Sequence, residues 1–344
     1  MKKRDVLDLI KYHSEGNEVA FREVASRIAR EFDSAGDRQL ADFVMAQISD
    51  ANAFMPQSDD NALAYFVRLR TDRSPLALPE AISDDMLGVK NAIQRNAGMS
   101  KFLLQGPPGT GKTESVKYIA HMLGRDLLMV DFDSVIDSRL GQTSKNIAAL
   151  FDEMRSFPRP QELIFLFDEI DALALDRVNA NDVREMGRAT SSFLREMDRT
   201  GEDFVVFATT NLYGSLDKAL VRRFDVSIDF GRYTREDLAE LSEFILSDLL
   251  RKYSFVGRDM RLFKKIMDGA TSLPFPGELK NALKTCIAFS DPEDEYDYLR
   301  RIYRTFRAAD PEDVKSLHDQ GFTLREIERI SGIAKSTAAR TLKG

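Results

Sequence analysis

The stretch FLLQGPPGTGKTESVKYIAHMLG, residues 102–124, places a loop rich in glycine and proline between an apolar run and an amphipathic segment. Glycine loses more backbone freedom on folding than any other residue, so such a loop is costly to order. That cost is understandable where the bare backbone must approach another group closely. The stretch therefore predicts a strand, a tight binding loop and a helix in succession.

The loop from Gly106 to Thr113 fits the pattern G-x-x-x-x-G-K-[ST], with a strand before it and a helix after it. Its glycines let successive N–H groups converge on phosphate oxygens, and the helix adds the positive end of its dipole. We expect Lys112 to reach the β- and γ-phosphates and Thr113 to hold Mg²⁺. The other residues expected to contact the nucleotide here are Pro107, Pro108, Gly109, Thr110, Gly111 and Glu114.

From about residue 100, short apolar runs alternate with helical segments. Runs of this length between helices predict a mainly parallel sheet covered on both faces, and hence an α/β fold. The predicted strands are residues 102–105, 127–131, 163–168, 204–209 and 226–230.

The apolar run LIFLFDEID ends in Asp168 and Glu169. Beside a phosphate loop, Asp168 is placed to hold Mg²⁺ through water, and Glu169 is placed to polarise the attacking water. Without that loop, the two acids would be interpreted as a helix cap that follows a strand.

These motifs resemble the AAA+ ATPases, and the resemblance covers about residues 85–290. GPPGTGKT resembles the Walker A motif, LFDEID Walker B, FATTN sensor 1, and LDKALVRRFD the arginine-finger segment of the AAA subgroup. The resemblance implies a P-loop core with an α-helical lid, hydrolysis of ATP with Mg²⁺, and a homo-oligomer, expected to be a hexameric ring.

The resemblance also implies roles for single residues. Asn211 would orient the water together with Glu169, and Arg222 and Arg223 would reach the ATP of the next subunit, with Arg223 as the better match. Gly88 and Val89, in MLGVKNAI, would lie by the adenine.

The lid is expected to contain four helices between residues 234 and 306, with Thr234 as an N-cap. Gly277 could approach the adenine closely. Lys280 stands where many relatives carry an arginine, and it is either a cation at the site or a solvated lysine.

Three further positions leave alternatives open. In DSRLGQTSKNI, Arg139 takes the place of the aromatic residue with which related unfoldases grip a polypeptide, so it could contact a chain, an acidic partner or nucleic acid. Asp171 and Arg188 could each face a neighbouring subunit or be ordinary surface residues.

The C-terminal segment resembles a helix-turn-helix, with a core of Leu317, Phe322, Leu324, Ile327, Ile330, Ile333 and Leu342. Gly332 would form its turn, and Lys335, Ser336, Thr337 and Arg340 would point outward. Residues 313–344 contain six Lys and Arg against four Asp and Glu, a net charge of +2. DNA contact through 310–344 and a helical protein-contact module are both open.

The predicted organisation is a helical N-terminal domain (1–80), a large α/β subdomain (81–231), a helical lid (232–308) and a C-terminal module (309–344). Residues 5–13, 21–32 and 37–48 read as helices, and 58–79 as a linker around one short helix. The net charge of −7 argues against a protein that coats nucleic acid. One cysteine, Cys286, and the lack of long apolar runs predict a cytoplasmic protein with no membrane partner.

The function expected from the sequence is ATP-driven remodelling or unfolding of a protein partner. Two alternatives are a DNA-associated ATPase that uses the C-terminal segment, and the ATPase component of a protease-linked bacterial defence system.

Overall fold

A computed structural model describes residues 5, 11–12, 24–25, 27–28, 31–32, 63–71, 78–136, 141–173, 180–253 and 257–343. The chain divides into two compact units, Met1–Leu63 and Ala64–Gly344. In the first unit the described residues up to Phe32 are all helical, as predicted for the first two helices. The third predicted helix, residues 37–48, and the Arg139 loop lie outside the described residues.

The second unit is built on a six-stranded sheet. Its strands are β1 (Phe66–Leu69), β2 (Lys101–Gln105), β3 (Asp126–Val130), β4 (Leu163–Phe167), β5 (Val205–Thr210) and β6 (Val226–Asp229). They follow the order β1-β3-β4-β5-β2-β6. Every neighbouring pair is parallel except β1 and β3. The predicted α/β class and the five parallel strands are confirmed.

Strand β1 corrects the prediction for residues 58–79. In the described part of that segment, residues 63–71 and 78–79, there is a strand and no helix. Phe66 is buried against Phe165 of β4, with ring centroids 5.5 Å apart, while Val67 is exposed. A strand of four residues is too short for its alternation of apolar and polar residues to be recognised within the polar sequence around it.

Helices cover both faces of the sheet. On one face, α1 (Glu80–Gln94) and α2 (Lys112–Leu123) share a hydrophobic cluster with β2, in which Val89 and Val116 pack with Phe102. After the short α3 (Phe132–Val135), α4 (Gln142–Ser156) and α5 (Ala180–Arg199) cover the other face. Their Phe151 and Phe193 contact Phe167 of β4, with centroids 5.7 and 5.4 Å away. Strands buried on both faces explain the continuous apolar runs.

A helical lid follows the sheet. Between β5 and β6 lies the short α6 (Lys218–Val221). The lid consists of α7 (Arg235–Lys252), α8 (Met260–Asp268), α9 (Pro276–Ala288) and α10 (Asp297–Arg307), which match the four predicted helices. Thr234 caps α7 in a reciprocal capping box with Asp237, as its position predicted.

The C-terminal helices α11 (Val314–Asp319), α12 (Leu324–Ser331) and α13 (Lys335–Thr341) continue the lid. Ile327 and Ile330 of α12 belong to the same hydrophobic core as Tyr298 and Tyr303 of α10. Lys265 of α8 also forms an ion pair with Glu326, at 2.8 Å. Gly332 ends α12 at φ +74°, the turn that the sequence predicted.

Among the described residues, no helix combines the length and the apolar character needed to cross a bilayer.

The shared core makes a prediction about stability. Ile330→Ala should lower the free energy of unfolding by about 2–5 kcal/mol, because a fully buried side chain leaves a cavity. Hydrogen–deuterium exchange should then speed up in α10 of the lid as well as in α12. The exposed Arg325→Ala serves as the control on the same helix. Faster exchange confined to residues 314–343 would show that the segment unfolds separately.

Candidate functional site

The loop after β2 has a backbone that only glycine fits at key points. Gly106 and Gly109 have φ of +137° and +73°. A Cβ on Gly106 would lie 2.9 Å from the backbone nitrogen of Gly231, so this position has no room for a side chain. The Thr110 hydroxyl braces the loop by donating to the Pro107 carbonyl at 2.9 Å. The chain thus holds a bare, pre-shaped turn against the end of β6.

Helix α2 starts directly at Lys112, and its N-cap is Gly111, which has no side chain to cap the first turn. The first N–H groups of a helix have no partner within the helix. Those of α2 are therefore available, next to the loop, as donors for an anion. This arrangement agrees with the phosphate-binding role predicted for residues 106–113.

Lys112 lies beneath the loop and is buried. Its Nζ donates to the carbonyls of Gly106 and Pro107 at 2.7 and 2.8 Å, and to Asn211 Oδ1 at 2.8 Å. Burial lowers the pKa of its ammonium group, whereas the charges of Asp168, Asp171 and Glu169 raise it. A partly desolvated cation surrounded by acids is well placed to meet the negative charge of a triphosphate.

The acids at the end of β4 lie directly beside the loop. Asp168 Oδ1 accepts hydrogen bonds from the hydroxyls of Thr113, at 2.8 Å, and Thr209, at 2.6 Å. Glu169 is exposed and has φ of +54°, an uncommon value for a residue with a side chain. Its N–H donates to Thr209 Oγ1 at 2.8 Å, which holds this turn in place.

The oxygens of Thr113 and Asp168 meet the chemical requirement for Mg²⁺. This ion prefers hard oxygen ligands and usually binds through one or two protein groups together with phosphates and water. A hydroxyl and a carboxylate 2.8 Å apart at the start of α2 supply such a set.

Asn211 joins the two sides of the site. Its Oδ1 accepts from Lys112, and its Nδ2 donates to Glu169 Oε1 at 3.3 Å. The structure therefore brings together Lys112, Thr113, Asp168, Glu169 and Asn211, as the sequence predicted.

These residues border a cavity of about 480 Å³ between the sheet and the lid. Pro108, Gly109, Thr110, Gly111, Glu114, Gly277 and Lys280 also line it. Lys280 is exposed, yet it does face the cavity. Pro107 instead contributes its carbonyl to Lys112 and Thr110.

Gly88 and Val89 are not among the residues that line the cavity. Val89 lies in the core beneath α1, where it packs with the sheet, and Gly88 is exposed on the same helix. The structure therefore does not place them at the predicted adenine contact.

Sequence reasoning missed the apolar part of the cavity wall. Leu78 precedes α1, and Leu241, Phe244 and Ile245 lie on one side of α7. Phe244 is 53% exposed, which is unusual for a phenylalanine on a lid helix. In the sequence these residues are indistinguishable from core positions, because the helix pattern does not show which apolar residues face a cavity.

The lid contacts the loop directly. The Gly277 N–H donates to the Gly109 carbonyl at 2.8 Å, and the Tyr233 hydroxyl donates to the Thr110 carbonyl at 2.9 Å. Burial raises the pKa of Tyr233 to about 12, so its hydroxyl remains a donor well into the alkaline range. Gly277 thus contacts the phosphate loop and also lines the cavity.

The two candidate finger arginines have different surroundings. Arg223 is held by Asp198 through two hydrogen bonds, Nε–Oδ1 at 2.9 Å and Nη2–Oδ2 at 3.0 Å. Its guanidinium lowers the pKa of Asp198. Arg222 is exposed, and although its backbone N–H donates to the Lys218 carbonyl, its side chain makes no hydrogen bond or ion pair within the described part of the chain. Neither arginine lines the cavity.

For Asp171 and Arg188, the sequence left open whether each faces a neighbouring subunit or is an ordinary surface residue. The structure gives the two residues different surroundings. Asp171 is buried and bonded to Thr210 and Asn211. Arg188 is exposed on α5, where it lines a separate groove together with Arg195 and Ser144.

Comparison with known proteins agrees with this geometry. Residues 102–232 match the family model for the ATPase family associated with various cellular activities (AAA). The uncharacterised AAA family ATPase y4kL of Sinorhizobium fredii is 33% identical over 240 residues, which cover 64% of this chain and 71% of that protein. Human peroxisomal ATPase PEX6 is 34% identical over 190 residues, 54% of this chain but only 18% of PEX6.

A solved structure shares the fold. A chain of the E. coli HORMA:CdnC:Trip13 complex superposes with a TM-score of 0.56 at 20% identity. The match covers 70% of this chain and 95% of that chain.

The contact between lid and loop predicts the effect of one methyl group. Gly277→Ala would place a Cβ 2.9 Å from the Gly109 Cα, so one backbone must move. We expect nucleotide affinity to fall by about 10-fold, roughly 1.4 kcal/mol, as in other overpacked contacts. Calorimetric titration with a non-hydrolysable ATP analogue measures this.

The matched control is Gly201→Ala, where an added Cβ would meet nothing within 4 Å. Equal affinities for the two variants would mean that the lid does not need this close approach to hold nucleotide.

Proposed function

We propose that this chain uses the hydrolysis of ATP to remodel a protein partner, and that it does so as a ring of six identical subunits. The chain belongs to the AAA family of ATPases and hydrolyses ATP. One observation supports the ring above others. None of the cavity-lining residues in the described part of the chain is an arginine, while Arg222 stands exposed on the surface. A phosphoryl-transfer site can take its guanidinium from a neighbouring subunit.

The phosphate loop and α2 would bind the triphosphate. The N–H groups of the loop and of the first turn of α2 would donate to phosphate oxygens, and Lys112 would add a positive charge. Thr113 and Asp168 would hold Mg²⁺, which neutralises charge on the β- and γ-phosphates when bound. These groups position the nucleotide, and they require no covalent chemistry from the protein.

Glu169 would act as the general base. It is exposed at the tip of β4, and its backbone is held by Thr209, so its carboxylate can accept a proton from the attacking water. Asn211 lies within hydrogen-bond distance of both Glu169 and Lys112. It would align the water with the terminal phosphate.

Arg222 would be the finger that acts on the neighbouring subunit. The sequence pattern favours Arg223, but the paired bonds to Asp198 hold that side chain against α5 of its own chain. Arg222 directly follows α6, and it is exposed, so its side chain can reach a neighbouring subunit. A planar guanidinium matches the charge spread over a transferring phosphoryl group.

The base assignment predicts that Glu169→Gln keeps nucleotide binding while kcat falls by about 10²–10⁴-fold, because the amide cannot take a proton. Phosphate release and analogue titration measure the two quantities. Glu202→Gln, an exposed acid outside the cavity, is the control and should hydrolyse ATP normally. Unchanged turnover in Glu169→Gln would rule out the assignment.

If Arg222 completes the site of the neighbouring subunit, Arg222→Ala should lower kcat by about 10³-fold while nucleotide binding is retained. Mixing it with Lys112→Ala subunits should restore part of the activity, since each variant supplies the group that the other lacks. Arg223→Ala should cost far less turnover. No recovery at any mixing ratio, in assemblies shown to contain both variants, would contradict action between subunits.

Membership of the AAA family supports the remodelling activity. DNA contact through residues 310–344, the protease-linked defence role and the cytoplasmic location stay predictions. Lys335, Ser336, Thr337 and Arg340 are exposed on α13, as the helix-turn-helix interpretation requires.

A further inference from the structure

Asp171 lies in the turn Ile170–Leu173 that follows β4, two residues beyond Glu169. Its side chain carries a carboxyl group, yet the residue is only 8% exposed. Its Oδ1 accepts a hydrogen bond from the Thr210 hydroxyl, and its Oδ2 accepts from the Asn211 N–H at 2.9 Å. A buried carboxylate is costly without partners, and here both oxygens are satisfied by β5 and the residue that follows it.

The partners of Asp171 are themselves fixed. Thr210 is the last residue of β5 and is fully buried. Its hydroxyl donates to Asp171 and accepts from the Leu212 N–H at 3.0 Å. The backbone on both sides of Asn211 is therefore tied to one carboxylate and one hydroxyl. Beyond this point Leu212 and Tyr213 are exposed, so no core packing holds the chain there.

The Asn211 side chain depends on that backbone. Its two ends contact Lys112 and Glu169, and the bond to Glu169 is long, at 3.3 Å. A small rotation of the backbone would move a short amide out of reach of one of them. By contrast, the phosphate loop makes no hydrogen bond to Asp171 among those that the described residues form.

We infer that Asp171 is a positioning residue for ATP hydrolysis: through Thr210 and the Asn211 N–H, it holds the Asn211 amide between Lys112 and Glu169. This inference rests on the proposed roles of Glu169 and Asn211. It gives a role to the third acid of the DEID segment, after Asp168 and Glu169, with no contact to the nucleotide. Loss of Asp171 should therefore slow the chemical step and leave nucleotide binding nearly intact.

A double-mutant cycle tests the inference. Asp171→Asn replaces one acceptor with a donor, and Thr210→Val removes the hydroxyl while keeping the shape. Each should lower kcat by about 10-fold and change the affinity for an ATP analogue by less than about 3-fold. Thr210→Ser, which keeps the hydroxyl, should retain near-normal turnover. Because Asp171 acts through Asn211, Asp171→Asn in an Asn211→Ala background should slow turnover no further.

Asp297→Asn is the matched control for lost stability. Asp297 is also a buried carboxylate, bonded to Arg300 and Arg301 in the lid, away from the cavity. It should lower the melting temperature and leave kcat unchanged at temperatures where the protein stays folded. If Asp171→Asn does not fold, Thr210→Val with and without Asn211→Ala completes the same cycle.

The outcomes separate the inference from the proposed function. Normal turnover in both Asp171→Asn and Thr210→Val would overturn the positioning role. So would additive losses of kcat when Asp171→Asn is combined with Asn211→Ala. In either case, slow turnover in Asn211→Ala alone would still support the proposed role of Asn211. If Asn211→Ala itself turned over normally, the proposed role of Asn211 would fail, and the inference with it.

Discussion

The parallel register of β4, β5 and β2 is the constraint on which the site depends. Phe167 pairs with Ala208, and Thr210 pairs with Gln105, so the three strands end at the same edge of the sheet. The residues that follow each strand therefore meet there. A shift of one residue in either pairing would turn every side chain to the other face and separate the acids from the loop.

Threonine hydroxyl groups at that edge of the sheet fix the positions of the acids through hydrogen bonds. Thr209 bonds to Asp168 and to the Glu169 N–H, while Thr210 bonds to Asp171. Two successive threonines thus hold three acids that would otherwise repel one another. Lys112 supplies the opposite charge from below the loop, and its lowered pKa reflects the burial that this position requires. Hydrogen bonds between neighbouring strands and this one ammonium group therefore keep the three carboxylates close together.

The lid completes the cavity through its backbone and through apolar side chains. The Gly109 and Gly277 backbones are in direct contact, and Phe244 and Ile245 face the space beyond them. Because α11–α13 share the core of the lid, any movement of the lid relative to the sheet carries the C-terminal helices with it. A partner bound to those helices would be coupled mechanically to the nucleotide cavity.

The sequence by itself determined the parts that local pattern specifies. The glycine spacing, the apolar runs and the capping residues predicted the phosphate loop, five strands, the lid helices and the residues that gather at the strand ends. Only the tertiary structure decided which groups are held and which are free: Asp171 is buried, Arg223 is held by Asp198, Val89 is in the core, and Phe244 faces the cavity. The physical reason is that these properties depend on contacts between residues far apart in the chain, and the periodicity of one segment carries no information about its partner.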